Sequence, residues 1–177
     1  MKKVIAFAGS NSKNSINKIF VGYTANKLDN IDLRILDLND FILPLYSPDL
    51  QADDGIPENA LKFRDLIHSA DGVILSLAEH NGGYSAAFKN LWDWNSRIDM
   101  QFWADRPIMV MAASPGPRGG AMVLKMALES IPFFGGRVVS SFSMPSFYEN
   151  FKDNIIQDGD LENLLVKNVK IFQQAIY

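Results

Sequence analysis

Short apolar runs alternate along the chain with longer stretches in which apolar residues recur every three or four positions. Val4-Ile5-Ala6-Phe7-Ala8 is continuous and apolar, the pattern of a strand buried on both faces. Gly72-Val73-Ile74-Leu75-Ser76-Leu77 and Pro107–Ala112 repeat it, and Arg137–Met144, richer in Val, Ser and Phe, predicts another strand. Asp32–Leu38 has fewer apolar positions and reads as a strand at a sheet edge. Ile16, Ile19, Phe20, Tyr23 and Leu28 follow helical spacing. Pro57 opens a second helix, at a position where its missing N–H costs nothing, with Leu61, Leu66 and Ile67 on the apolar face. Ser85–Arg97 and Gly120–Phe134 predict two more helices. Leu161, Leu165, Phe172 and Ile176 mark a C-terminal one.

Strand and helix thus alternate five times, which implies an α/β fold with a doubly wound parallel sheet and helices on both faces. Five strands with right-handed crossovers suit the flavodoxin-like order 2-1-3-4-5 in one domain spanning residues 1–177. Ligands of such sheets bind outside the carboxyl ends of the strands, near the switch between strands 1 and 3. The loops after Ala8, Leu77 and Ala113 should therefore converge.

Composition narrows the partners. The 177 residues are 47% hydrophobic and 21% charged, enough apolar material for a core without staples. There is no cysteine, which removes disulfides, thiolate metal ligands and a cysteine nucleophile. No metal site is expected. A net charge of −3 gives no basic field, so nucleic acid and anionic membrane are poor partners. The apolar run behind Met1-Lys2-Lys3 is too short for a signal peptide, and no stretch is long enough to span a bilayer. The expectation is a soluble, cytoplasmic protein.

Each converging loop has unusual chemistry. The first runs Gly9-Ser10-Asn11-Ser12-Lys13-Asn14-Ser15-Ile16-Asn17. Ser10, Ser12 and Ser15 can donate hydroxyl hydrogen bonds and Asn17 can donate from its amide. The helix that begins at Ile16 adds unsatisfied N–H groups and the positive end of its dipole. That set can hold a phosphate monoester; an ordinary strand-to-helix loop with Ser15 as N-cap is the alternative. It is neither a Walker loop, which needs Gly-Lys-Ser/Thr, nor the Rossmann glycine pattern.

The second loop, Ala78-Glu79-His80-Asn81-Gly82-Gly83-Tyr84, places adjacent glycines where backbone can approach a planar ligand. Asn81 and nearby N–H groups can face ring carbonyls, and His80 can flank the ring or stand in solvent. Glu79 reads equally as a solvated charge. The third loop, Ser114-Pro115-Gly116-Pro117-Arg118-Gly119-Gly120, is stiffened by two prolines and reads as a ligand wall. Arg118 can meet an anionic group of a second nucleotide, or face solvent or a neighbouring subunit.

Together these loops resemble the NADPH-dependent FMN reductase family, over nearly the whole chain. The family opens with Gly-Ser-x-Arg and a following Ser-x-Asn; Gly9, Ser10, Ser15 and Asn17 match, and Ser12 stands where arginine is usual, with Lys13 beside it. Its second motif is Pro-Glu-Tyr-Asn-Gly, then Leu-Lys-Asn-x-x-Asp-Trp. Glu79, Asn81, Gly82, Lys89, Asn90, Asp93 and Trp94 match, while Ala78, His80 and Phe88 replace proline, tyrosine and leucine. The third, Ser-x-Gly-x-x-Gly-Gly, is intact as Ser114, Gly116, Gly119 and Gly120.

The resemblance implies an oxidoreductase that binds FMN and takes hydride from NADPH or NADH. It passes the hydride on to a small acceptor: a flavin, a quinone, an azo compound or a metal oxyanion. It implies cofactor contacts from Ser10, Ser12, Ser15, Ile16, Asn17, Glu79, His80, Asn81, Gly82, Ser114, Gly116 and Gly119, and a homodimer or homotetramer. No side-chain acid or base is required, so no catalytic residue is assigned. The competing reading is a flavodoxin-type electron carrier, which would be more acidic and bracket its flavin with aromatics. A phosphoacceptor receiver domain is set aside, because Gly9-Ser10 and Ala78-Glu79-His80 stand where its aspartates belong. Lys89 and Asp93, four apart, should pair on a helix surface or touch another subunit. At least half of Trp92, Trp94, Phe102 and Trp103 should be core, leaving the rest for an interface or the cleft.

Overall fold

A computed structural model describes residues 1–177. Its five-stranded parallel sheet runs β1 (Lys2–Gly9), β2 (Ile31–Leu36), β3 (Gly72–Leu77), β6 (Pro107–Ala113) and β7 (Arg137–Met144). The spatial order is β2-β1-β3-β6-β7, the doubly wound order expected from the alternation. β1, β3 and β6 are buried along almost their whole length, whereas β2 lies at the edge and alternates. That position explains its weaker apolar pattern.

The helices divide between two faces. α1 (Ile16–Ala25) and α7 (Gly159–Ala175) cover one, with Phe20, Val21, Leu165 and Phe172 packed on Val4, Ala6, Ile74 and Met109. α3 (Glu58–Ser69), α4 (Ala86–Ile98) and α5 (Ala121–Phe133) cover the other, through Phe63, Ile67, Phe88, Leu91, Val123 and Ala127. Trp92, Trp94, Phe102 and Trp103 are all buried, so none of the four is left for an interface or the cleft.

Several elements differ from the sequence reading. β2 stops at Leu36, because the Asp37 carboxylate accepts the Asn39 N–H and starts a 3-10 turn, Leu38–Asp40. α2 (Pro48–Asp54) was not predicted; it buries no residue, so it carries no apolar period. Pro57 is the N-cap of α3 rather than its first residue, and Gly120 likewise precedes α5. β4 (Glu79–His80) pairs with β5 (Gly83–Tyr84), and α6 (Phe147–Asn150) leads into a second small hairpin, β8 (Phe151–Lys152) with β9 (Ile155–Ile156). These short pieces fall below the length at which hydrophobic period is readable.

Candidate active site

Gly9, Leu77 and Ala113 end three neighbouring parallel strands, so the loops behind them leave one edge of the sheet. Three side chains then tie those loops to each other. Asn17, in the first turn of α1, is only 2% exposed. Its Nδ2 donates to the Ala113 carbonyl at 3.1 Å, and its Oδ1 accepts from the Ala113 N–H at 2.9 Å and the Ser76 hydroxyl at 2.7 Å. Ser85, the N-cap of α4, donates to the Gly9 carbonyl at 2.8 Å and accepts the Phe88 N–H. Glu79 reaches from β4 to the start of α5, where one carboxylate oxygen accepts the N–H groups of Met122 at 3.0 Å and Val123 at 3.1 Å.

Two of these bonds correct the sequence reading. The Asn17 amide is drawn into the sheet edge, where its Oδ1 accepts two hydrogen bonds and its Nδ2 gives one of its two N–H groups to Ala113, because a buried carboxamide must be satisfied and the strand ends supply both kinds of partner. Asn17 also offers its backbone N–H, which has no acceptor in the protein. Glu79 is not a free solvated charge; one of its oxygens caps a helix whose own N-cap, Gly120, has no side chain to offer. Ser85 was missed as part of the site. A serine directly before a helical run is an N-cap signal, but the link of Ser85 to Gly9 needed the fold.

The first loop keeps its donors free. Ser15 caps α1 by accepting the Lys18 N–H at 3.4 Å, and Ser10 accepts the Ser12 N–H at 3.2 Å. Both serines are over nine-tenths buried, and neither hydroxyl proton is given to a protein acceptor. The Ile16 and Asn17 N–H groups also find no acceptor in the protein. Ser12 and Lys13 are exposed. The nearest helical cation, Lys18, is already paired with Asp37 at 2.5 Å. Burial opposes the Asp37 charge, but Lys18 and the two Asn39 hydrogen bonds outweigh it and hold that carboxyl below its ordinary range.

The second loop is a two-residue hairpin. Asn81 and Gly82 both have positive φ, 51° and 79°, the requirement of a type I′ turn and the reason for Asn-Gly there. His80 and Asn81 are exposed at the tip. The hairpin rests on α5: the Tyr84 hydroxyl lies 2.7 Å from that of Ser130, and a Cβ on Gly82 would come within 2.9 Å of Met122. Burial raises the Tyr84 phenol above its ordinary value, with the Ser130 bond pulling the other way.

The third loop is fixed to the strand beside it. The Ser114 N–H donates to Met144, the Phe147 N–H to Ser114, the Ser146 N–H to Gly116 and the Ser143 hydroxyl to Gly119. Gly119 has φ 58°, and a Cβ there would stand 2.1 Å from the Ser143 oxygen, so no other residue fits. Gly116 is exposed, and a Cβ there would meet nothing closer than the Ser114 hydroxyl at 4.0 Å. Arg118 is exposed and makes no ion pair.

The helical part of the second motif holds a different piece. Asn90 accepts the Tyr46 N–H at 2.9 Å and donates to Pro44 at 3.0 Å, and Trp94 donates to Pro44 at 2.8 Å. They bind the segment after the 3-10 turn onto α4. A cleft of about 330 Å³ opens there beside Asn11, between Leu38, Phe41, Leu43, Ala87 and Leu91. Lys89 and Asp93 form the expected surface pair at 2.6 Å.

The model of the NADPH-dependent FMN reductase family matches residues 2–149. The chain belongs to that family. It is 28% identical over 176 residues to a quinone reductase of Escherichia coli (strain K12), covering 92% of this chain and 89% of that one. A quinone reductase of Pseudomonas putida is 30% identical over 158 residues, covering 88% and 82%. Among solved structures, the flavoenzyme NAD(P)H:(acceptor) oxidoreductase FerB from Paracoccus denitrificans superposes with a TM-score of 0.78 at 28% identity, covering 99% of this chain and 97% of that one. The azoreductase of Bacillus anthracis, with a TM-score of 0.64 at 18% identity, shares the fold. Membership makes the chain an oxidoreductase with FMN as cofactor and reduced nicotinamide as co-substrate. No helix is long and apolar enough to cross a membrane.

Proposed function

We propose that the chain passes hydride from NAD(P)H, by way of bound FMN, to a small acceptor, with a quinone as the first candidate. The observation that carries the reading is the donor set at the start of α1. Two buried hydroxyls that give their protons to no protein group stand with two backbone N–H groups that lack acceptors, at the positive end of a helix. A phosphate monoester satisfies all four without a guanidinium, so the residues fit the group although Ser12 replaces the family's arginine.

In this reading Ser10, Ser15, Ile16 and Asn17 hold the phosphate, with Ser12 at its rim. The turn His80-Asn81-Gly82 and the wall Ser114, Gly116 and Gly119 hold the ring between them. Bound FMN supplies the two-electron chemistry between nicotinamide and acceptor. The protein contributes position and a field. Backbone N–H groups at the Asn81–Gly82 turn would favour negative charge on a ring held against them. Exposure of His80, Asn81, Pro115 and Gly116 leaves one side of the seat open to a second planar molecule. Quinone is favoured because the Escherichia coli and Pseudomonas putida relatives are named for it.

We also assign the chain to the cytoplasm and to a homodimer or homotetramer. Met122, Met126 and Phe133 expose 53%, 40% and 69% of their surface along α5, beside the second loop. A second copy covering that stripe would wall the site.

The test is a spectrum followed by an anaerobic titration. The purified protein should be yellow, and NADPH or NADH should bleach it, with colour returned by a quinone. Colourless protein that takes up no added FMN overturns the reading. Yellow protein that neither nicotinamide bleaches returns it to an electron carrier.

A further inference from the structure

The start of α5 is closed in an unusual way. Its N-cap, Gly120, sits at φ 75° and has no side chain to accept the first-turn N–H groups. All four are nevertheless satisfied. Ala121 donates to Arg118 and Leu124 to Gly120, and the two between them, Met122 and Val123, donate to Glu79, which lies more than 40 residues upstream in sequence. Glu79 is the first residue of the second loop's hairpin, directly before His80 and Asn81. The same hairpin is tied to α5 again through Tyr84 and Ser130. The carboxylate is thus a bolt between the second loop and the helix that carries the third.

Its charge matters as well as its reach. A helix N-terminus carries about half a positive charge, and an anion there is stabilised. Here the protein supplies that anion itself. The helix end that follows the third loop is neutralised from within.

Resting on the FMN reading above, we propose that Glu79 is a positioning residue for the flavin ring: by filling the N-terminus of α5 it locks the His80-Asn81-Gly82 turn to the third loop and cancels the positive field of that helix end at the ring's seat. Two separable effects follow. The hydrogen bonds set how firmly the ring is held. The charge sets how the site balances oxidised against reduced flavin, since reduction adds negative charge that a bare helix end would favour.

The two effects come apart in two variants. Glu79→Ala removes both; Glu79→Gln keeps an amide oxygen to accept the N–H groups and removes only the charge. FMN and riboflavin are titrated into each protein by flavin fluorescence, the midpoint potential of the bound flavin is measured, and thermal melting checks the fold. Glu79→Ala should lose about tenfold in affinity for FMN and for riboflavin alike, because the loosened contact is to the ring and not to the phosphate. Glu79→Gln should stay within about threefold of the parent. Both should shift the balance toward reduced flavin by about tenfold, a rise near 30 mV for a two-electron couple.

Unchanged FMN affinity in Glu79→Ala, or an unmoved potential in Glu79→Gln, overturns the proposal. If Glu79→Ala does not fold, the potential of Glu79→Gln decides alone. A purely structural clamp would lower affinity in the alanine variant and leave the glutamine variant's potential where it was. Failure of the underlying reading looks different, because then the parent protein binds neither FMN nor riboflavin.

Discussion

Two helix N-termini, those of α1 and α5, stand at the same edge of the sheet and are treated in opposite ways. At α5 every first-turn N–H has a protein acceptor, and a carboxylate from another loop neutralises the end. At α1 the capping serine takes one N–H, two others stay open, and the helix's own Lys18 is turned away to Asp37. The difference teaches where to look for a ligand. Composition alone does not mark the ends, although the loop before α1 is rich in polar residues and the loop before α5 in glycine and proline. Donors that the protein declines to satisfy mark α1, and donors it satisfies from a distance mark α5 as scaffold.

That contrast can be strained by substitution, beginning with the residue that joins both ends to the sheet. Asn17→Leu should cost about 3–5 kcal/mol in urea unfolding, because it leaves the buried Ser76 hydroxyl without its acceptor and removes both side-chain bonds to Ala113. A loss under about 1 kcal/mol would mean that the edge is not held by that amide. Glu79→Ala should cost about 1–2 kcal/mol, the range of a lost helix cap, with the loss confined to the closed end. Asp37→Asn releases Lys18 beside the open end and should cost less than about 1 kcal/mol at neutral pH. The sign follows from the lowered carboxyl: its contribution is present above the ordinary carboxylate range and disappears as pH falls through that range toward the lower folded value. The variant and parent should therefore converge in stability in acid. Lys89→Ala, which breaks an exposed pair remote from either end, should change stability by less than about 0.5 kcal/mol.

The sheet was legible because buried strands are long and apolar, and the order followed from alternation. Convergence of the three loops was legible for the same reason. The roles inside the loops were less so. Ser15 could be read as a cap because capping is local. Asn17 and Glu79 could not, since their partners lie 96 and over 40 residues away. The Asn81-Gly82 pair carried a hairpin signal, yet the strands on either side have only two residues each and no period to confirm it. The Lys-Asn-x-x-Asp-Trp run was legible as a motif but not as an anchor. Asn90 and Trp94 hold Pro44, a contact that no spacing on α4 announces.

If the open backbone donors at α1 hold the phosphate, removing one of them should weaken FMN and spare riboflavin. Ile16→Pro makes that change. Ile16 is the first helical residue and Ser15 before it is extended, at ψ 122°, so proline fits the backbone and removes one open N–H. FMN and riboflavin, which differ only in the phosphate, are titrated into parent and variant. The parent should prefer FMN strongly, and the variant should lose about tenfold in FMN affinity while keeping its riboflavin affinity. An FMN-to-riboflavin preference unchanged in Ile16→Pro would contradict the account and place the phosphate elsewhere.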